Sequence, residues 1–216
     1  MSVAAFFDMD RTLLHCNTGT QWIRFLKRRG EISTWRALRA IGWIARYKLS
    51  IIDMEAVTRT VTADLAGDSE AELIEKAAHF FAEEVVGEIA PKALAAIDFH
   101  RRRGDVVAIL SGSSPYVAEP LARHLGIEHV LCTRLDTEGG KFTGRHIAPA
   151  CAGAGKVYWA SAFALAQGVD LRASWFYTDS YSDLPMLLEV GVPKVVNPDT
   201  RLRRHARRAG WSMEEW

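Results

Sequence analysis

Short hydrophobic runs alternate with helical patterns along most of the chain. The runs cover residues 3–7, 105–110, 129–132, 174–178 and 194–196. Each is short and nearly continuous, which is typical of the buried strands of a parallel sheet. Helical patterns occupy residues 91–103, 115–125, 155–166, 184–189 and 200–209. Strands separated by helices predict right-handed crossovers and a three-layer α/β core with a mostly parallel sheet.

Residues 15–88 lack this alternation. They carry four helical patterns, at 19–29, 33–47, 53–65 and 69–89, and no convincing strand. The last pattern opens with Ser69-Glu70-Ala71-Glu72, a capping box at a helix start. We therefore predict a core domain of residues 1–14 and 89–216, with an α-helical cap domain of residues 15–88 inserted after the first strand. The pair Gly139-Gly140 also predicts a hairpin within residues 133–146.

Polar residues follow several of the predicted strands and one helix start. They are Asp8 and Asp10, Ser111 and Gly112, Lys156, and Asp179 and Asp183. The carboxyl ends of parallel strands meet at one edge of a sheet, so these residues are expected to converge there. Carboxylates from two strands form a hard oxygen site for Mg²⁺, and a hydroxyl, backbone amides and a lysine can hold phosphate oxygens. The set therefore predicts phosphoryl transfer.

Each of these features also has an ordinary structural interpretation. Asp8 and Asp10 could be incidental acids at a solvated strand end, and Lys156 alone is most simply a surface lysine. Asp179 and Asp183 could be a helix cap and a surface charge. However, two acids that are two residues apart on an extended chain point to the same side and repel unless a cation separates them or one is protonated. All of these features together, each at a strand end or helix start, favour an active site.

Composition limits the classes of function. The chain has 216 residues, 49% of them hydrophobic and 25% charged, with a net charge of +1. These values are ordinary for a soluble globular protein, and the small net charge gives no reason to expect nucleic acid as a partner. The three cysteines are scattered and form no CxxC pair, which favours free thiols in a reducing compartment. No secretory signal or membrane-length apolar run is visible, so we expect a cytoplasmic protein, either a monomer or a homodimer.

The segment Asp8-Met9-Asp10-Arg11-Thr12 resembles the DxDxT motif of the haloacid dehalogenase superfamily. The order of the later features is also similar to the remaining motifs of that superfamily. Tyr177-Thr178-Asp179-Ser180-Tyr181-Ser182-Asp183-Leu184-Pro185 most resembles the fourth motif of the phosphoserine-phosphatase-like group, subfamily IB. The resemblance covers nearly the whole chain and implies a Rossmann-like core with a small helical cap. It implies a Mg²⁺-dependent phosphatase.

The resemblance implies distinct roles for the two acids of the first motif. Asp8 would be the nucleophile and a Mg²⁺ ligand, and would carry the aspartyl-phosphate intermediate. Asp10 would protonate the leaving group and then activate the hydrolytic water, while its backbone carbonyl contacts the metal; crowding by other carboxylates would favour its protonated form. Dehalogenases of the superfamily lack this second acid, so its presence indicates phosphate ester chemistry.

The resemblance also implies roles for the residues of the later motifs. Ser111 would bind a phosphate oxygen, and Gly112 would offer a backbone N–H and room for the phosphate. Lys156 would neutralise the charge of the phosphate and the nucleophile. Asp179 would be a further metal ligand, and Asp183 would hold a metal-bound water or orient Lys156.

Three residues concern the substrate itself. Thr12 is expected to order the turn after the nucleophile and to belong to the substrate site. Asn17 stands where phosphoserine phosphatases carry a glutamate that reads the substrate amine, and Arg59 is the candidate for binding a substrate carboxylate. The departure at Asn17 widens the expected substrate from a phosphoserine-like ester to an amino-alcohol phosphate such as histidinol phosphate.

The predicted cap contains a basic stretch with interleaved aromatic residues. Residues 22–48 hold eight basic side chains and one acid, Glu31, with Trp22, Trp35, Trp43 and Tyr47 among them. A solvated helix face is the favoured interpretation. One alternative is contact with an anionic membrane, where a phosphatase or phosphotransferase would act on a lipid phosphate. A more distant alternative is a non-catalytic basic module that binds membrane or single-stranded nucleic acid.

Overall fold

The structure is a computed structural model, and it describes residues 1–35, 38, 42 and 54–216. Its centre is a six-stranded parallel sheet in the order β3-β2-β1-β6-β7-β8. A separate antiparallel hairpin consists of β4 and β5. The strands are β1 Ala4–Phe7, β2 Val106–Ser111, β3 His129–Cys132, β4 Leu135–Glu138, β5 Lys141–His146, β6 Trp175–Thr178, β7 Val192–Val196 and β8 Met213–Glu214.

Helices cover both faces of the sheet, as right-handed crossovers between parallel strands require. The α-helices whose bounds the structure describes are α1 Thr18–Arg28, α2 Met54–Ala63, α3 Glu70–Phe80, α4 Pro91–Arg103, α5 Pro115–Leu125, α6 Ala154–Gln167, α7 Leu184–Glu189 and α8 Thr200–Ala209. Among the helices of the described ranges, none is long and apolar enough to cross a membrane.

The alternation of side chains along β1 divides the core into two layers. Ala5 and Phe7 face one hydrophobic cluster, whereas Ala4 and Phe6 face the other. All four side chains are completely buried because β1 lies between β2 and β6. This burial on both faces explains why β1 is a continuous apolar run, and it confirms the predicted three-layer α/β core.

The predicted helix at 69–89 is interrupted in the structure. It begins with Ser69, whose hydroxyl caps the helix, but α3 ends at Phe80 and is followed by a π-helical turn and a 3₁₀ turn. The chain must become extended by Ile89, because Ile89 forms an antiparallel bridge with Leu14. That return to the core, next to the end of the first motif, explains why a single regular helix does not continue.

The β4–β5 hairpin contacts the helices that follow the first motif. The backbone N–H of Gly67 donates to the carbonyl of Phe142 at 2.8 Å, and the N–H of Phe142 donates to the carbonyl of Asp68 at 3.0 Å. Glu55 of α2 also accepts hydrogen bonds from the Ala150 N–H at 2.8 Å and lies 2.7 Å from the His146 ring. The helices of residues 54–80 are therefore anchored to a hairpin of the predicted core, and the exact division at residues 14 and 89 stays a prediction.

Strand β8 was not predicted from the sequence, because two residues are too few to produce a hydrophobic pattern.

The predicted helix at 33–47 falls mostly outside the described residues, as do half of the basic residues of the 22–48 stretch. Of the basic residues that are described there, Arg28 is ion-paired with Glu84 and Arg29 with Glu31.

Candidate active site

The carboxyl edge of the sheet brings the first and last motifs together. Asp8 follows β1 directly, and its N–H donates to the Tyr177 carbonyl on β6 at 2.9 Å. The neighbouring strands end at Ser111 and Thr178. The parallel register of β1 with both neighbours therefore places three polar strand ends side by side, as the sequence predicted.

A buried lysine links two of the predicted acids. The Lys156 ammonium donates to Asp8 Oδ1 and to Asp183 Oδ2, each at 2.7 Å, and all three residues are less than a tenth exposed. Burial lowers the pKa of Lys156, but the two carboxylates outweigh this effect and raise it well above its usual range. Burial raises the pKa of Asp8 to about 7, although Lys156 opposes that rise. Lys156 is therefore a fixed positive charge beside Asp8.

Glycine is required immediately before this lysine. A Cβ atom on Gly155 would lie 1.9 Å from the Ala150 carbonyl oxygen, closer than any side chain can approach. The first turn of α6 thus packs directly on the preceding loop, and this contact sets the position from which Lys156 reaches Asp8.

Asp183 lies behind the lysine. Its Oδ2 accepts a second hydrogen bond, from the Thr178 hydroxyl at 2.7 Å, and the side chain is almost completely buried. Of the two roles that the sequence left open, orienting Lys156 is the one that these contacts support.

The Asp10 carboxylate is held by the start of helix α1. Asn17 Nδ2 donates to its Oδ2 at 2.6 Å, and both the N–H and the hydroxyl of Thr18 donate to its Oδ1, at 2.9 and 2.7 Å. Asn17 also caps the helix, because its Oδ1 accepts from the N–H of Thr20. These three donors hold the Asp10 carboxylate in one orientation at the cavity.

Ser111 and Gly112 begin the loop between β2 and α5. The Ser111 side chain is buried, and its hydroxyl accepts from the Ser113 N–H at 3.2 Å. Ser114 precedes Pro115 at the start of α5, an eleven-residue helix. The loop therefore combines a hydroxyl, backbone amides and a helix N-terminus, which together suit an anion.

One cavity of about 650 Å³ joins these groups. The predicted residues that line it are Asp8, Asp10, Asn17, Ser111, Gly112, Lys156, Asp179 and Asp183. Thr12 does not line it: its side chain is completely buried, and its hydroxyl has no hydrogen-bond partner in the described part of the chain. The buried position of Thr12 is compatible with ordering the turn after Asp8, but the prediction that Thr12 belongs to the substrate site is wrong. Arg59 is exposed on α2 and is also outside the lining.

The donor set at the edge of the sheet fits Mg²⁺. The carboxylates of Asp8 and Asp179 line the cavity together, and both are largely buried. Within the described ranges no group of three or more His, Cys, Asp or Glu side chains is arranged to hold a metal. Mg²⁺ does not require one, because it commonly binds through one or two carboxylates with waters and substrate phosphate as further ligands.

Sequence reasoning missed two threonines at this site. Thr18 holds Asp10, and Thr178 holds Asp183. Thr178 directly precedes Asp179 at a strand end, which was an available signal. Thr18 follows the helix-capping Asn17, but only the folded chain shows that its hydroxyl turns back to Asp10.

Comparison with known proteins shows which family the chain belongs to. Residues 5–188 match the haloacid dehalogenase-like hydrolase family. The chain belongs to this family. The predicted resemblance to this superfamily, the α/β fold class and the phosphatase enzyme class are thus confirmed.

Individual relatives match over nearly the whole chain. The chain is 29% identical over 218 residues to a histidinol-phosphatase of Neisseria meningitidis serogroup C (strain 8013), covering 99% of this chain and 98% of that protein. It is 30% identical over 220 residues to the phosphoserine phosphatase SerB1 of Mycobacterium tuberculosis (strain ATCC 25618 / H37Rv), covering 100% of this chain and 71% of that protein. The crystal structure of a protein of unknown function from Bordetella pertussis Tohama I superposes with a TM-score of 0.89 at 28% identity, covering 99% of this chain and 98% of that one.

Proposed function

We propose that this chain is a Mg²⁺-dependent phosphomonoester hydrolase that acts on a small phosphorylated metabolite through a phosphorylated Asp8. The contact between Lys156 and Asp8 at 2.7 Å carries the proposal, because it places a permanent positive charge beside a buried carboxylate at the floor of a cavity. A metabolite with an amino-alcohol skeleton, phosphoserine-like or histidinol-phosphate-like, is the expected substrate.

In the first half-reaction a carboxylate oxygen of Asp8 forms a bond to phosphorus while the ester P–O bond breaks. Asp10 gives its proton to the departing alkoxide, which leaves as an alcohol. Ser111 and the backbone amides of its loop bind the phosphate oxygens, and Lys156 neutralises charge shared by the phosphate and Asp8. Mg²⁺ held by Asp8, Asp179 and the Asp10 carbonyl would supply further charge neutralisation.

In the second half-reaction Asp10 acts as the base. It takes a proton from water, whose oxygen attacks phosphorus as the bond to Asp8 breaks, and inorganic phosphate leaves. The three hydrogen bonds from Asn17 and Thr18 suit this step, because they fix the orientation of the carboxylate that must accept the proton.

The test is phosphate release from a panel of phosphate esters, measured with Mg²⁺ and with EDTA. We expect turnover that requires Mg²⁺, disappears in Asp8→Asn and falls strongly in Asp10→Asn. Asp64→Asn is a matched control, since Asp64 is exposed and does not line the cavity. Equal turnover by Asp8→Asn and the control would contradict the proposal.

A further inference from the structure

The cavity extends well beyond the groups that would hold phosphate. Its polar floor, formed by the strand ends and Lys156, accounts for only part of a volume of about 650 Å³. The remainder lies among helices α1, α2 and α3 and the β4–β5 hairpin, which all contribute lining residues. The alcohol part of a bound ester would occupy this outer region.

The wall of the outer region is largely apolar. Trp22 and Leu26 line it from α1, Val61 from α2, Leu73 from α3 and Phe142 from β5. Trp22 is fixed by an edge-to-face contact with Phe80, with ring centroids 5.1 Å apart. Three helices and a hairpin thus expose aromatic and aliphatic surface to the same space. A serine-sized alcohol would leave most of this surface in water.

The charges of the outer region are unfavourable for a substrate carboxylate. Among the described lining residues its acids are Glu31, Asp68 and Glu72, and its one ammonium group, on Lys76, is ion-paired with Glu31. Lys156 is committed to Asp8 and Asp183 at the floor of the cavity. Within the described ranges, a carboxylate on the alcohol would therefore meet like charges without an uncommitted cation.

We infer that the preferred substrate is a phosphate monoester whose alcohol carries an apolar ring or chain. The inference rests on the proposed phosphatase function and narrows the class of substrate on which that function acts. The ring packs against Trp22, Leu26 and Val61, while the phosphate lies beside Asp8 and Lys156. These three apolar residues are then specificity-determining residues, and an amine on the alcohol is tolerated by the acids of the outer region.

The inference is tested by comparing kcat/KM for four esters at saturating Mg²⁺. Ethyl phosphate has neither ring nor charge, and 2-phenylethyl phosphate adds a ring. O-phosphoserine carries an amine and a carboxylate, whereas histidinol phosphate carries an amine and an imidazole ring, which is polar at its nitrogens, and has no carboxylate. We expect kcat/KM for 2-phenylethyl phosphate to exceed that for ethyl phosphate at least about tenfold, and kcat/KM for histidinol phosphate to exceed that for O-phosphoserine by a similar factor. One or two buried methylene groups supply discrimination of this size.

Val61→Ala tests the apolar wall directly. Val61 is 56% exposed, so the change should leave the fold intact while it lowers kcat/KM for 2-phenylethyl phosphate roughly threefold to tenfold, mainly through KM. The ratio of kcat/KM for 2-phenylethyl phosphate to kcat/KM for ethyl phosphate should fall by a similar factor. Ile74→Ala is the matched control, because Ile74 is 53% exposed on α3 and does not line the cavity.

Two results would overturn the inference while leaving the phosphatase assignment intact. One is a kcat/KM for O-phosphoserine equal to or above that for histidinol phosphate. The other is the absence of any gain from the ring of 2-phenylethyl phosphate. Hydrolysis of none of the four esters would instead contradict the proposed function, and the inference would fall with it.

Discussion

Replacing Thr18 with valine tests whether helix α1 positions Asp10, the proposed acid–base residue. Valine has nearly the shape of threonine, so packing at this buried position is kept, but the hydroxyl that donates to Asp10 at 2.7 Å is lost. A hydrogen bond to a charged group contributes about 1.5–3 kcal/mol. Asp10 retains the Thr18 N–H and the Asn17 amide as donors, so the lower end of that range applies.

A loss of about 1.5 kcal/mol corresponds to a roughly tenfold decrease in kcat, since about 1.4 kcal/mol is a factor of ten. KM should change little, because Thr18 acts through Asp10. The assay is steady-state phosphate release, with Thr60→Val as the control, because Thr60 is an exposed threonine on α2 that does not line the cavity. An unchanged kcat in Thr18→Val, with the fold intact, would refute the positioning role.

A second substitution separates positioning from helix capping. Asn17→Asp keeps an oxygen that can cap α1 but replaces the amide donor with a carboxylate beside Asp10. We expect kcat to fall further than in Thr18→Val, because the new carboxylate cannot donate to Asp10 and repels it. A kcat equal to that of Thr18→Val would contradict this.

Three further predictions concern the stability of the fold and the position of Lys156. Lys156→Met leaves buried carboxylates such as Asp8 without their cation, and should cost about 3–5 kcal/mol in the free energy of unfolding by urea. Burial lowers the pKa of His100, so between that pKa and about 6.5 the unfolded chain binds a proton that the folded chain does not. Unfolding free energy should therefore fall as pH drops below about 6.5, and less so in His100→Gln. Gly155→Ala, which forces a Cβ toward the Ala150 carbonyl, should lower kcat at least about tenfold by displacing Lys156.

The polar residues at the strand ends were predictable because parallel strands impose a fixed geometry. Asp8, Ser111 and Asp179 follow buried apolar runs, so their convergence at one edge followed from the fold class alone. Helix ends with strong local signals were also well predicted. Pro91 and Gly104 mark the start and the end of α4 where the sequence placed them.

The contacts that the sequence did not reveal depend on tertiary structure. The Thr18 hydroxyl reaches Asp10 only because α1 begins above the edge of the sheet, and the break after Phe80 arises because Ile89 must pair with Leu14. Neither event leaves a local pattern. Asn17 was expected to contact the substrate; its side chain instead donates to Asp10 and caps α1, and its contact with substrate stays a prediction.

The central claim is that Asp8 carries the phosphoryl group. The most direct measurement is mass spectrometry of peptides after acid quenching of the enzyme during turnover of a phosphate ester with Mg²⁺. The account predicts a phosphoryl adduct on the peptide that contains Asp8, more of it in Asp10→Asn, and none in Asp8→Asn. Sustained turnover in Asp8→Asn, or an adduct on a different residue, would contradict the account.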